Sequence, residues 1–210
     1  MTQARTFHIT LLTLLLSMGI GVCTQSCTET EEVDEYANWQ ERNEAYVDSI
    51  ARVCDTNADG QWVKYLSFKL NAQQSDGTAT AWDTGKYVYC HRQVEGDGTV
   101  CPVFTDTVKC NYRGRLIPTA SYPDGYVFDQ SYKGKTLDPE VNVPTSFCVG
   151  SLVVGWSTIL QYMHTGDTWT IYVPYDLGYG TSANGSIPAY STLIFNINLA
   201  GIKHPDGSSE

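Results

Sequence analysis

Positive charge is scarce in this chain of 210 residues, where 13 Lys and Arg stand against 23 Asp and Glu for a net charge of −10. Association with a phosphate backbone draws on basic side chains, so nucleic acid is excluded as a partner. Histidine is scarce too, and His8, His91, His164 and His204 show no metal-ligand spacing. The seven cysteines include no Cys-x-x-Cys, and neither a Ser–His–Asp arrangement nor a phosphate loop is recognisable. No metal and no other cofactor is therefore expected. Long apolar runs are also missing. The stretch Ile9 to Val22 is too short for a permanent membrane span.

That stretch suits the core of a signal peptide instead, with Arg5 and His8 ahead of it. A cysteine just past such a core is where bacterial lipoproteins are cleaved and acylated. Cys27, behind the small Ser26, is preferred to Cys23, behind the bulky Val22; an ordinary secretory signal is the alternative. The acidic TETEEVDE that follows reads as a solvated tether. The expected organisation is a lipoprotein signal and lipidation site over 1–27, a tether and helical extension over 28–84, a domain over 85–202 and a tail over 203–210. If Cys23 is removed and Cys27 acylated, five cysteines remain, so at least one thiol is free or pairs between chains. Cys90 and Cys101 flank the EGDG turn and could be bridged. Cys110 and Cys148 lie in strand patterns and read as small buried hydrophobes.

What is plentiful is aromatic: 14 Tyr and 5 Trp favour a sheet-rich domain with an aromatic-lined cleft. Asp34 to Val53 reads as an amphipathic helix with a thin stripe of Tyr36, Trp39 or Gln40, Asn43, Tyr46 or Val47, and Ile50. Such a helix must lean on the domain or on a second copy, so the protein is a monomer or a dimer through it. DTNADG matches the opening of a calcium loop, but Leu66 stands where the twelfth-position Glu belongs, and an Asx-rich turn is the better account. Val63 to Leu70 alternates like a strand, and QQSDGTAT is linker-like. Strands are then expected over Tyr87–Val94, Thr107–Leu116, Thr168–Val173 and Thr192–Leu199. In the second of these Val108, Cys110 and Tyr112 point inward and Lys109, Asn111 and Arg113 outward. A short helix opens at Trp156, with Ile159, Leu160 and Met163 on its buried face and Gly166 ending it. One helix and several long-range strands make an α+β domain, an antiparallel sheet wrapped around one short helix.

The fragments GDG at Gly96, YRG at Tyr112, FDQSY at Phe128, LVVGW at Leu152, Met163-x-x-Gly166, P-x-x-L-x-Y-G at Pro174 and IP-x-x-S-T-L-x-F at Ile187 resemble, in this order, the FKBP-type peptidyl-prolyl cis-trans isomerases over residues 85 to 202. The resemblance implies an FKBP-like fold and a proline pocket. Trp156 would floor it, Tyr112, Phe128, Leu152, Val153, Ile187 and Phe195 would bind the substrate, and Asp129 and Tyr179 would act with Trp156 in catalysis. It also implies proline-containing polypeptide clients and macrolide inhibitors as partners, and the signal-like run with Cys27 adds the expectation of a bacterial envelope setting through a lipid anchor. The family's phenylalanine two places before Phe147 is Thr145 here, and the histidine of the final loop is missing around Ala183 to Gly185. These departures, with long loops at Ile117–Asp124 and Lys133–Val143, leave open a binding module or chaperone with little catalysis. A structural surface lipoprotein is the third reading.

Overall fold

The computed structural model describes residues 34–71, 82–134, 136–139 and 141–209. The signal-like run, Cys23, Cys27, the tether up to Val33 and the linker-like QQSDGTAT lie outside the described residues. The compact unit Glu35–Glu210 is built on one seven-stranded antiparallel sheet. Its strands are β1 (Trp62–Leu66), β2 (Tyr87–Val94), β3 (Thr107–Arg115), β4 (Val127–Gln130), β5 (Thr145–Cys148), β6 (Thr168–Val173) and β7 (Leu193–Lys203). The order across the sheet is β1-β2-β6-β7-β3-β4, with β5 also on β3. The outer edge of β3 is shared: residues 107–110 pair with β5 and residues 113–115 with β4.

Two helices flank the sheet, α1 (Trp39–Thr56) and α3 (Val154–Leu160), and a single turn, α2 (Phe68–Asn71), follows β1. The inner face carries Val88 and Cys90 of β2, Trp169, Ile171 and Val173 of β6, Leu193, Phe195 and Ile197 of β7, and Val108, Cys110 and Tyr112 of β3. On this face lies α3, buried from Gly155 to Leu160. Gly155 makes the approach possible, since a Cβ there would meet Val173 Cγ1 at 2.4 Å.

The opposite face is covered as well. Val47, Ile50, Ala51 and Cys54 of α1 cluster with Tyr89, Tyr87, Tyr172 and Trp62. Tyr89 pairs across to Tyr172, and Tyr172 to Ile194, so one row of outward side chains lies under this helix. The extension also supplies β1, which pairs with β2 from Trp62 to Leu66, so it shares one sheet with the domain.

Several expectations need correction. The helix begins at Trp39, not Asp34, after a left-handed Asn38, and Glu35 accepts a hydrogen bond from the Ser121 backbone N–H (2.8 Å). The expected strand to Leu70 ends at Leu66. Asn111 is fully buried although it points outward, and its amide donates to Asn198 Oδ1 (3.2 Å). Cys148 is exposed, whereas Cys90 and Cys110 are buried; all five described cysteines are free thiols. The short helix stops at Leu160, and Gly166, at φ +94°, turns the chain into β6 beyond it. In the DTNADG turn Asn57 accepts from the Trp62 N–H, Asp59 pairs with His91 (2.8 Å) and Asp55 with Lys64 (2.6 Å).

The outer helix is keyed by a buried amide. Asn43 Oδ1 accepts the Thr192 N–H (2.7 Å), its Nδ2 donates to the Trp39 carbonyl (2.7 Å), and Trp39 Nε1 donates to Ser191 Oγ (2.9 Å). Asn43→Ala leaves a buried N–H without its acceptor and is expected to cost about 2 kcal/mol in denaturant unfolding; an unchanged midpoint would dismiss the key. Burial also raises the phenols of Tyr46 (pushed up to about 12), Tyr65, Tyr89 and Tyr172. The folded state thus holds protons that the unfolded chain has lost. This stabilisation is complete below the ordinary tyrosine value of about 10 and is lost as pH rises through the folded values. The melting temperature should fall steeply between pH 10 and 12, and a flat profile there would contradict it.

Candidate functional site

At the N-terminal end of α3 the inner face opens into a cleft of about 330 Å³. All nine residues singled out in the sequence line it: Tyr112, Phe128, Asp129, Leu152, Val153, Trp156, Tyr179, Ile187 and Phe195. They come from separate parts of the fold. Tyr112 is on β3, Phe128 and Asp129 on β4, Phe195 on β7, and Leu152 and Val153 lead into α3, whose first turn carries Trp156. Tyr179 and Ile187 belong to the loop between β6 and β7.

The floor is the Trp156 indole, only 3% exposed. Three rings meet it edge-on: Phe195 at 5.2 Å, Tyr112 at 5.5 Å and Phe147 at 5.8 Å between centroids. Edge-to-face pairs of this kind add about 0.5–1.5 kcal/mol each beyond burial, so the indole is fixed in one orientation. Phe128 extends the wall by standing perpendicular to Phe195 at 5.5 Å. The two phenylalanines converge above Gly114, where a Cβ would lie 2.6 Å from both rings. The YRG glycine is therefore a steric requirement of the wall.

One charged group faces this apolar hollow. Tyr112 OH donates to Asp129 Oδ2 (2.7 Å), and Asp129 Oδ1 accepts the Gln130 N–H (2.8 Å). Burial, with the Asp129 hydrogen bond added, pushes the Tyr112 phenol well above the ordinary tyrosine range. It stays a neutral donor at any physiological pH. At the mouth Tyr179 is 40% exposed. Its loop is pinned by Gly180 N–H to Tyr175 carbonyl (2.8 Å) and Tyr190 N–H to Gly180 carbonyl (3.0 Å). Beyond it Asn184 and Ile187 exchange backbone hydrogen bonds around Gly185, closing a tight turn that forms the rim.

Phe147 and the rim residues Asn184, Gly185 and Ser186 line the cleft without having been singled out. For Phe147 the signal was the aromatic two places after Thr145 in the TSFC strand. Thr145 is exposed and is not among the lining residues, so Phe147 supplies the aromatic wall on this side. Among the described residues neither long loop contributes to the lining; the first docks on the start of α1 through Arg42 and the Pro118 carbonyl (3.4 Å). Among the described residues no group of three or more His, Cys, Asp or Glu side chains could hold a metal ion.

Residues 98–200 match the family described as FKBP-type peptidyl-prolyl cis-trans isomerase. The chain is 41% identical over 104 residues to the outer membrane protein MIP of Legionella longbeachae, covering 49% of this chain and 39% of that one. It is 39% identical over 107 residues to FK506-binding protein 2 of Aspergillus oryzae, covering 50% of this chain and 69% of that protein. The chain spans about half or less of the length of the first curated relatives it matches. Among solved structures, a peptidyl-prolyl cis-trans isomerase from Pseudomonas syringae superposes with a TM-score of 0.54 at 24% identity, covering 80% of this chain and 96% of that one, a likeness of fold. With a sheet split at one edge, a short helix across it and an indole-floored cleft between them, the chain belongs to the FKBP-type peptidyl-prolyl cis-trans isomerase family.

Proposed function

We propose that this protein catalyses rotation about X–Pro peptide bonds and so assists folding of exported polypeptides. The observation that carries the reading is the cleft itself, an aromatic hollow over Trp156 with a single carboxylate at its edge. Rotation is slow because amide resonance must be broken, a barrier of roughly 18–20 kcal/mol. The planar amide is more dipolar than the twisted one and is favoured by water. A dry apolar pocket withdraws that advantage, and each ~1.4 kcal/mol so removed speeds rotation tenfold. In this reading Trp156 floors the proline ring, with Phe195, Phe128, Tyr112, Leu152, Val153 and Ile187 excluding water around it. Tyr179 donates from the mouth to the carbonyl next to proline. Asp129 is held by the Tyr112 hydroxyl, which fixes where its negative charge meets the rotating amide. No nucleophile and no cofactor enter this scheme. Macrolides that occupy this family's pocket would compete for the same floor.

The signal-like run and the cysteine behind it support an envelope location with a lipid on Cys27, and the outer-membrane name of a relative agrees with that setting. Among the described residues no helix is long and apolar enough to cross a membrane. Thr145, together with Val141 and Val143 exposed on the second long loop, favours as a second reading a module that holds unfolded segments.

Two measurements test these assignments. The protein should accelerate cis–trans isomerisation of a Pro-containing peptide. Tyr179→Phe should lower kcat/KM about tenfold at unchanged melting temperature, because that side chain sits at the mouth and not in the core. A rate equal to the spontaneous one removes the enzymatic reading, and suppression of aggregation of a proline-free client without isomerisation favours the holding module. Metabolic labelling with radioactive palmitate should mark the wild-type chain and leave Cys27→Ser unmarked; equal labelling of both would reject Cys27 as the anchor.

A further inference from the structure

We propose that α1, which packs on the far face of the sheet, is a positioning element for the isomerase site, because it holds both feet of the loop that presents Tyr179; the inference rests on the isomerase reading. The loop runs from Pro174 to Thr192, between the end of β6 and the start of β7. Its own regular structure is one helical turn, Tyr175–Leu177, and the tight turn between Asn184 and Ile187. A connection this long that presents a functional side chain needs anchors. Tyr179 stands exposed at the mouth, so its backbone places it more than packing does.

The anchors come from three positions of α1. At the foot next to β7, Ser191 Oγ accepts the Trp39 indole N–H (2.9 Å) and donates in turn to the Pro188 carbonyl (2.7 Å), while the Thr192 N–H reaches Asn43 Oδ1 (2.7 Å). Both residues of this foot are buried. At the foot next to β6, the Tyr175 hydroxyl donates to Glu44 Oε1 (3.2 Å). The two feet also meet, since the Tyr175 and Tyr190 rings touch edge-on at 5.3 Å between centroids. Gly180, the neighbour of Tyr179, joins them: its N–H donates to the Tyr175 carbonyl and its carbonyl accepts the Tyr190 N–H. Tyr190 lies at φ +61°, a left-handed conformation that a bulky side chain keeps only where its surroundings over-determine it. A shift of either foot is therefore passed to the backbone that aims the Tyr179 ring into the cleft mouth.

The test uses Trp39→Phe in the full chain, which removes the indole N–H and keeps a ring in the core. Hydrogen exchange at the Gly180 and Tyr190 amides should speed up at least about tenfold, with the amides of β7 unchanged. In the proline-peptide assay kcat/KM should fall about fivefold, but less than about twofold in the Tyr179→Phe background, where no hydroxyl is left to place. Ser191→Ala, which removes the same bond from the loop side, should reproduce both results. Unchanged exchange at Gly180 and Tyr190, exchange that rises equally throughout β7, or a kinetic loss of the same size in the Tyr179→Phe background would each overturn the proposal. A wild type no faster than the spontaneous reaction is a separate failure: it removes the isomerase reading, while the exchange result still decides whether α1 holds the loop.

Discussion

The cleft exists because a short helix can lie almost on the strands beneath it. The approach is set at one point, where the missing side chain of Gly155 leaves room for the Val173 methyls. Interiors pack at near-crystalline density, so an added methyl there would lift the helix as a body. Trp156 is the next residue. Lifting it would draw the indole away from Phe195, Tyr112 and Phe147, and the floor would lose its orientation. Gly114 plays the matching part in the wall, by letting Phe128 and Phe195 meet over a strand. Two places without a Cβ therefore determine the shape of a site composed of large rings.

Within this frame electrostatics is sparing. The hollow has one carboxylate, exposed at its edge, and the Tyr112 hydroxyl donates a hydrogen bond to it. The pair thus keeps a fixed negative point beside an otherwise neutral pocket, and the hydroxyl stays protonated because burial resists its ionisation.

Much of this was legible in the chain. The boundaries of β6 and β2 follow from alternation between a turn and a proline or a turn and a glycine pair, and the nine cleft residues were placed by their fragments. What alternation could not show is that both faces of the sheet are covered. Tyr89 and Tyr172 point away from the short helix, where a two-layer reading leaves them open to solvent; Tyr89 is buried and Tyr172 half-buried because the N-terminal helix packs on them. Asn43 sits in the apolar stripe of that helix as a polar residue, and only the unpaired backbone of Thr192, far along the chain, explains it. Asn111 is similar, its partner Asn198 being on a strand that sequence spacing cannot align with it. The exposure of Cys148 has a simpler cause. It ends a four-residue strand at the outer edge, where pairing stops and no layer covers the side chain.

The N-terminal helix and β1 have a further consequence. Together they cap an apolar row on one face and satisfy the backbone of β2 along its free side. Removing everything before Tyr87 would strip both covers at once, leaving tyrosine faces and a line of open amide groups on the same strand. Such a margin recruits other chains. The segment ahead of Tyr87 thus covers apolar surface and pairs a long strand that would otherwise lie at the margin of the sheet, a place it leaves to the five-residue β1.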